Sequence, residues 1–210
     1  MSNSLTHLVT TQEAVTALYG EPSDAVQSKV INRFDEHCRA FIARSPFVLV
    51  ATVGSDGACD VSPRGGPAGF CEVLDERTLV LADAAGNKRL DTVRNIVATG
   101  RVGLLFLIPN VRETLRINGR ASLTQDPALL ERHATNGKLP TAAIGVEIEE
   151  AFLHCAKAFI RSQLWQPDAW PSTDGLASAA QIWRDHILLP EWTTESVQEM
   201  LDDDYVNNLY

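Results

Sequence analysis

The sequence predicts a mainly β protein in which a small antiparallel barrel is flanked by helices. Five or six short apolar runs lie between residues 46 and 160, and turn signals rather than long crossovers separate them. A helical pattern from Gly86 to Gly100 interrupts these runs without a regular alternation of strand and helix. The chain also lacks the glycine fingerprint of a dinucleotide-binding domain, so a doubly wound fold is not expected.

Residues 1–45 are predicted to form a helical extension. Thr11 begins a first short helix with a capping-box-like pattern, and Gly20 ends it. Ser23 then begins a second, longer helix, and one face of it carries the apolar residues Val26, Val30, Phe34, Cys38 and Phe41.

The first strands of the barrel form hairpins. The run Phe47–Val53 is nearly continuous in apolar residues, which is typical of a strand covered on both faces. The turn 54–57 leads to a partner strand that ends at Arg64 in a glycine-rich loop. Residues 70–74 and 77–82 form a second hairpin.

The later strands show clearer alternation. After the strand 102–108, residues 114–123 place Leu115, Ile117 and Gly119 on one face. The opposite face of that strand carries the polar side chains Thr114, Arg116, Asn118 and Arg120. Asp126-Pro127 opens a short helix. A last strand, Ala142–His154, alternates imperfectly, which indicates a bulge near Glu149-Glu150.

The sequence predicts three parts in the chain. A barrel domain over 46–160 follows the extension, and residues 161–210 form an aromatic- and proline-rich loop and helices that are expected to pack on the barrel.

Composition limits the possible functions. The net charge of −9 argues against general binding of nucleic acid or anionic membranes. No apolar run has the length of about 18 residues that crosses a bilayer, no secretory signal is visible and the four cysteines lack zinc-like spacing, so we expect a cytoplasmic protein without a metal site. Residues 61–120 nevertheless carry nine Lys or Arg against six acids, which suggests a local anion site.

The strongest candidate for that site is the turn 86–89. In the predicted helix, Asn87 is the N-cap, and Lys88 and Arg89 lie in the first turn, where the helix dipole disfavours cations. A bound phosphate would remove this conflict, because free N–H groups and two cations would meet it. Two solvated cations on a surface turn are the alternative.

Other basic groups could converge with this turn. Arg64 ends a strand, and Thr114 and Arg116 lie on the polar face of another, near the ends where barrels open. These residues predict a phosphorylated small molecule as ligand but do not name it.

The sequence resembles the pyridoxamine 5′-phosphate oxidase-like, FMN-binding split-barrel family. The motifs that carry the resemblance are 47–57, 61–65, 86–95, 102–107 and 113–121, and together they cover roughly residues 45 to 165. Residues 146–158 with Leu164-Trp165 further resemble a bacterial branch of that family. The resemblance implies an antiparallel split β-barrel and a homodimer with FMN at the subunit interface.

The resemblance also implies roles for particular residues. Arg64 would end the strand along the flavin, and the FMN phosphate would be held by Asn87, Lys88 and Arg89. Three further cofactor-binding residues are implied: Thr114, which would reach the cofactor of the partner subunit, Arg116, which would add a charge there, and Trp165, which would cover the ring system. Core packing is the alternative for Trp165.

The resemblance departs at the C-terminus, and this bears on the activity. True pyridoxamine phosphate oxidases carry a basic C-terminal segment for the substrate's phosphate, whereas this chain has an acidic tail at 202–204. We therefore expect an FMN-dependent oxidoreductase with an unidentified small-molecule substrate rather than a vitamin B6 oxidase, and no catalytic residue is assigned. A flavin or haem carrier without turnover, with His133 or His154 as iron ligand, and a deazaflavin-dependent protein are the alternatives.

Overall fold

A computed structural model describes residues 5–83, 86 and 88–207 of the chain, and the described part contains eight α-helices and seven β-strands. The helices are α1 (Gln12–Tyr19), α2 (Asp24–Ser28), α3 (Glu36–Ile42), α4 (Asp91–Thr99), α5 (Pro127–Arg132), α6 (Lys157–Ser162), α7 (Ala179–Ile187) and α8 (Thr194–Asn207). The strands are β1 (Phe47–Val53), β2 (Cys59–Gly65), β3 (Cys71–Val73), β4 (Thr78–Asp83), β5 (Arg101–Leu107), β6 (Thr114–Thr124) and β7 (Ala142–His154).

All seven strands belong to one antiparallel sheet with the order β2-β1-β5-β6-β7-β4-β3. The sheet curls into a half-barrel with helices at its flanks. The predicted fold class, a mainly β antiparallel split barrel with flanking helices, is therefore confirmed.

The core lies on the concave side of this sheet. Residues of alternate parity along β1, β5 and β6 are buried there, among them Val50, Phe106 and Ile117, each at 0% exposure. Helix α3 closes one side of the core with Cys38 and Ile42. The alternation predicted for β6 is confirmed from Leu115 to Arg120, because Leu115, Ile117 and Gly119 are buried whereas Arg116 and Arg120 are exposed. Thr114, which the pattern placed on the polar face, is buried.

Helix α4 connects β4 to β5 and fills the mouth of the half-barrel. It buries Thr92 and Ile96 and ends at Gly100, which adopts the left-handed conformation with φ 63°. Asn95 Nδ2 donates to Thr52 Oγ1 at 3.1 Å, and Thr99 Oγ1 donates to the Val53 carbonyl at 2.8 Å. These bonds tie the helix to β1, so its N-terminal end is held beside the edge strand β2.

The bulge expected near Glu149-Glu150 is confirmed. Asn118 pairs with Glu150 and Gly119 with Ile148, so Glu149 is the extra residue of β7. Both sides of the bulge keep their apolar residues in the core, since Ile148 and Ala151 are each at 0% exposure. The bulge explains why alternation in the sequence of β7 was imperfect.

The long second helix of the N-terminal region was predicted wrongly. The structure has two helices there, α2 and α3, because the chain is extended between them and Ile31 forms a β-bridge with Ala151. Asp35 begins α3 by accepting a hydrogen bond from the Cys38 amide at 2.8 Å. Of the apolar residues in that pattern, Phe34 and Cys38 are buried whereas Val26 and Val30 are exposed, so the spacing does not mark one core-facing helix.

The C-terminal region after β7 is helical. Helices α7 and α8 pack on each other around a small cluster of their own, made of Ala180, Val197 and Leu201. Over the described residues, the helices lack the combination of length and apolar character that a membrane span requires.

Two of the four thiols should be silent towards thiol reagents in the folded protein. Burial and the neighbouring Asp35 raise the pKa of the Cys38 thiol to about 12, and burial also raises the pKa of Cys71. Because the thiolate is the nucleophile, only the exposed Cys59 and Cys155 can react with Ellman's reagent at pH 8. Native protein is expected to release the colour of at most two thiols, and protein in guanidinium that of four.

The same thiols give a pH dependence of known sign. The unfolded thiols ionise near pH 9, whereas the folded Cys38 stays protonated until about pH 12. The free energy of unfolding should therefore fall as the pH rises through this window. In the Ellman experiment, rapid reaction of all four thiols in native protein would contradict the burial of Cys38 and Cys71.

Candidate functional site

The candidate site is built around the inner face of the edge strand β2. Asp60, Ser62 and Arg64 are half-buried and alternate with exposed neighbours, so all three point to the concave side. Asp60 pairs with Thr52, Ser62 with Val50 and Arg64 with Val48. A polar row on an edge strand therefore lies at the mouth of an otherwise apolar barrel.

The start of α4 is fastened to this polar row. Thr92, at 3% exposure, donates from Oγ1 to Asp60 Oδ2 at 2.6 Å and lies 3.0 Å from Ser62 Oγ. Ser62 Oγ also donates to Asp60 Oδ2 at 3.1 Å. The hydroxyl–carboxylate network fixes the position of the helix end relative to β2.

Arg64 joins two distant strands of the sheet. Its Nε lies 3.4 Å from Asp83 Oδ1 at the end of β4, and both side chains are 23% exposed. In the order of the sheet, β2 is the first strand and β4 the sixth, so this ion pair forms only because the sheet curls. The sequence prediction placed Arg64 at a strand end but did not foresee its acidic partner.

The predicted start of α4 was wrong by several residues. The helix begins at Asp91, with Leu90 in the N-cap position, and Lys88 adopts a left-handed conformation with φ 60° that a helix does not continue. Asp91 in the first turn suits the helix dipole. The supposed conflict between cations and the dipole is therefore absent, and Asn87 lies outside the described residues.

Arg89 forms an ion pair with the first residue of the helix. Its Nε lies 2.5 Å from Asp91 Oδ2, although the Arg89 side chain is 80% exposed. The hydrogen bond to Asp91 raises the pKa of the guanidinium, and the charge of Asp60 acts in the same direction. The charge of Arg89 is therefore close enough to Asp60 for the two groups to interact.

The other predicted residues lie elsewhere in the chain. Thr114 is 2% exposed at the start of β6, opposite His154, and Arg116 is on the convex face with its Cζ 5.5 Å from the centre of the Phe152 ring. Because Arg64 lies on the concave face, one copy of the chain does not bring these two groups together.

Trp165 packs on the connection between β5 and β6. Its indole Nε1 donates to the Val111 carbonyl at 2.8 Å, and the Phe159 ring lies 5.7 Å from its own. This placement fits the packing alternative and holds the ring beside the segment that leads to Thr114.

Three acids were missed by the sequence reasoning. Asp60, Asp83 and Asp91 compensate the charge of the predicted cations, and the period of two in Asp60-Val61-Ser62-Pro63-Arg64 was the signal available for the first of them. The two arginines can exchange their carboxylate partners for phosphate oxygens, because a carboxylate and a phosphate both accept hydrogen bonds from a guanidinium.

Comparison with known proteins assigns the chain to a family. The family model described as pyridoxamine 5′-phosphate oxidase matches residues 34–155, which is more than half of the chain and spans the whole curled sheet. The chain belongs to the pyridoxamine 5′-phosphate oxidase family. Members of this family generally bind a flavin on a split barrel and are typically dimers.

Several solved structures are similar to part of this chain. HupZ from group A Streptococcus is 18% identical, with a TM-score of 0.47, over 57% of this chain and 93% of that chain. A pyridoxamine 5′-phosphate oxidase candidate from Lactobacillus delbrueckii is 24% identical, with a TM-score of 0.44, over 58% and 95%. An F420 reductase is 20% identical, with a TM-score of 0.43, over 56% and 98%. No curated protein matches the chain.

Proposed function

We propose that this protein binds FMN between two copies of the chain and acts as an oxidoreductase on a small molecule. The observation that carries the proposal is the polar row on the inner face of β2, which contains Ser62 and Arg64 and to which Thr92 is hydrogen-bonded, with Arg89 three residues before Thr92 in the chain. Two guanidinium groups and two hydroxyls are a donor set suited to a phosphate monoester. Lys88 and Asn87 complete the proposed phosphate site.

The acids at this site do not argue against a phosphate. The Arg89–Asp91 pair is exposed, and exposed ion pairs are weak because water and salt screen them. A phosphate brings more negative charge and more acceptor oxygens than one carboxylate. FMN would therefore take over the guanidinium of Arg89 when it binds.

The second half of the proposed cofactor site comes from another copy. Thr114 and Arg116 on the convex face are the residues that the resemblance assigns to the partner's flavin. The convex face itself supports a dimer, because the outward residues Leu49 and Leu105 are half-buried and apolar and Val61 is 61% exposed. Apolar side chains in such a row are typical of a surface that a second copy covers.

Trp165 is retained in the proposal as a ring near the flavin. Its indole is fixed on the β5–β6 connection, from which β6 and Thr114 begin. When bound, the flavin would supply the hydride chemistry, while this chain binds and orients it. The four cysteines, which are free, suit the reducing cytoplasm in which we propose the protein acts.

Replacing Val61 with aspartate should separate the dimer. The substitution places a charge on the convex face but hardly affects the single chain, since Val61 is 61% exposed. We expect light scattering to give about 23.0 kDa for this variant and twice that mass for the wild type. Val97→Asp, at an exposed position on α4, is the matched control and should remain a dimer. A dimeric Val61→Asp variant would remove the convex face from the proposal.

The proposed function is tested by the visible absorption spectrum of the purified protein after FMN has been added and the excess removed. A retained flavin spectrum of about one FMN per chain supports the proposal. Reduction of that flavin by NAD(P)H and its reoxidation then distinguish an enzyme from a carrier. Without retained flavin, the extracted ligand and its mass decide between a deazaflavin and a haem.

A further inference from the structure

Residues 5–30 form an N-terminal arm that lies outside the packed body of the chain. Every residue of this described segment is exposed except Ala14, which is half-buried. Helices α1 and α2 belong to the arm, and none of their residues is buried. The exposed residues nevertheless include eight large apolar side chains, namely Leu5, Leu8, Val9, Val15, Leu18, Tyr19, Val26 and Val30. So many apolar side chains on one exposed segment are typical of a surface that another molecule covers.

Helix α1 is specified by its own sequence but is too short to be stable alone. The Thr11 hydroxyl begins it by accepting a hydrogen bond from the Ala14 amide at 3.2 Å, and Gly20, with φ 74°, ends it. Ala14, Val15 and Leu18 lie on one face of the helix. The helix has eight residues, whereas isolated helices shorter than about 12 residues are marginal in water. Its apolar face therefore needs a surface to pack on.

The arm joins the body beside the convex face of the sheet. Lys29 Nζ donates to the Leu153 carbonyl at 2.9 Å and lies 5.2 Å from the centre of the Phe152 ring. Arg116, which is on the convex face, contacts the same ring. Ile31 then forms its β-bridge with β7. The arm therefore begins on the side of the sheet that the proposed dimer shares.

The convex face has apolar surface close to this point. A groove of about 360 Å³ on that face is lined by Leu49, Val61 and Leu105 and by Arg116, which links it to the beginning of the arm. The arm of the same chain does not cover the groove, because Val61 is 61% exposed and the apolar residues of α1 are exposed as well. A two-fold axis between the convex faces of two copies would place the arm of each copy beside the body of the other.

We propose that the N-terminal arm packs the apolar face of α1 on a second copy of this chain, and that the two copies of the dimer do so reciprocally. The inference rests on the dimer of the proposed function and adds to it a segment that lies outside the family match over residues 34–155. The second copy is the partner because the arm begins at the face through which the copies are proposed to meet.

Hydrogen exchange of the full-length protein, followed by mass spectrometry, tests this inference. The amides of residues 15–20 are the hydrogen-bonded donors of α1 and its C-cap. In the wild-type dimer they should exchange at least about tenfold more slowly than in Val61→Asp, which is expected to be monomeric. Fast exchange in the dimer would mean that the arm is free or binds another molecule. Equal protection in the monomer would mean that it packs on its own chain, and either result would overturn the inference.

Leu18→Asp should raise the dissociation constant of the dimer about a hundredfold or more. Each dimer has two arms, and each arm would lose a leucine that the partner buries. Leu18 is 65% exposed in the single chain, so the variant should fold like the wild type. Thr16→Asp, on the opposite side of α1, is the matched control and should dissociate like the wild type. The dissociation constants are measured by sedimentation over a dilution series.

The variants distinguish this inference from the proposed dimer. A wild type that is monomeric at all concentrations refutes both. A dimer that Val61→Asp dissociates and Leu18→Asp leaves unchanged refutes the role of the arm alone. A dimer that Leu18→Asp weakens and Val61→Asp leaves unchanged refutes the convex-face interface and supports the packing of the arm on the second copy.

Discussion

Gly119→Ala is expected to destabilise the protein by about 3 kcal/mol or more, as backbone clashes in a packed sheet do. A Cβ at this position would overlap the Glu147 carbonyl oxygen and would lie 3.1 Å from the carbonyl carbon of the same residue. The obstacle is the backbone of β7 beside the bulge, which no rotamer change can move aside. Urea denaturation followed by circular dichroism should show a midpoint far below that of the wild type.

Gly145→Ala provides the matched control in the same pair of strands. A Cβ at Gly145 would meet the Ser122 Oγ at 3.7 Å, which is an ordinary contact, so its free energy of unfolding should change by less than about 1 kcal/mol. Equal stability of the two variants would mean that the bulge at Glu149 does not bring the strands as close as described.

Arg89→Ala is expected to weaken FMN binding about ten- to a hundredfold, the usual effect of losing a charge-assisted contact to a phosphate. The Arg89 side chain is 80% exposed, so the fold should be unaffected. The dissociation constant is measured from the quenching of flavin fluorescence at fixed ionic strength. Arg94→Ala, which removes an exposed arginine of α4, should bind FMN like the wild type.

A second substitution should have the opposite effect on the affinity for FMN. Asp91→Asn removes the carboxylate that holds Arg89, so the guanidinium no longer has to leave a charged partner. FMN should then bind about two- to fivefold more tightly. An unchanged dissociation constant in Arg89→Ala, or weaker binding in Asp91→Asn, would refute the assignment of Arg89 to the phosphate.

The sequence predicted the fold correctly where the local pattern of apolar residues agrees with their burial in the structure. The strict alternation of 114–123 gave the two faces of β6, and the irregular alternation of β7 gave its bulge. The second N-terminal helix was misjudged because α3 and the extended residues before it both direct apolar side chains to the core. Here the apolar period did not report burial, since Val26 and Val30 are exposed, and residues of different elements produced one apparent period.

The candidate site was only partly accessible to the same reasoning. Arg64 and Arg89 were chosen for their charge, but their partners Asp83 and Asp91 follow from the curl of the sheet and from the true start of α4. The contact between β2 and β4 is long-range and has no local signature. The contact of His133 Nε2 with Glu72 Oε2 was invisible for the same reason, since the two residues belong to different parts of the chain.

The ion pairs of Arg64 and Arg89 also bear on how such a protein matures. Because each guanidinium has an aspartate of its own chain, the newly made polypeptide does not need a foreign anion to relieve repulsion between them. The chain can complete its half-barrel first and receive a ligand afterwards. For the proposed cofactor, we therefore expect synthesis and loading to be separate events, with chains made in its absence folding and remaining able to bind it.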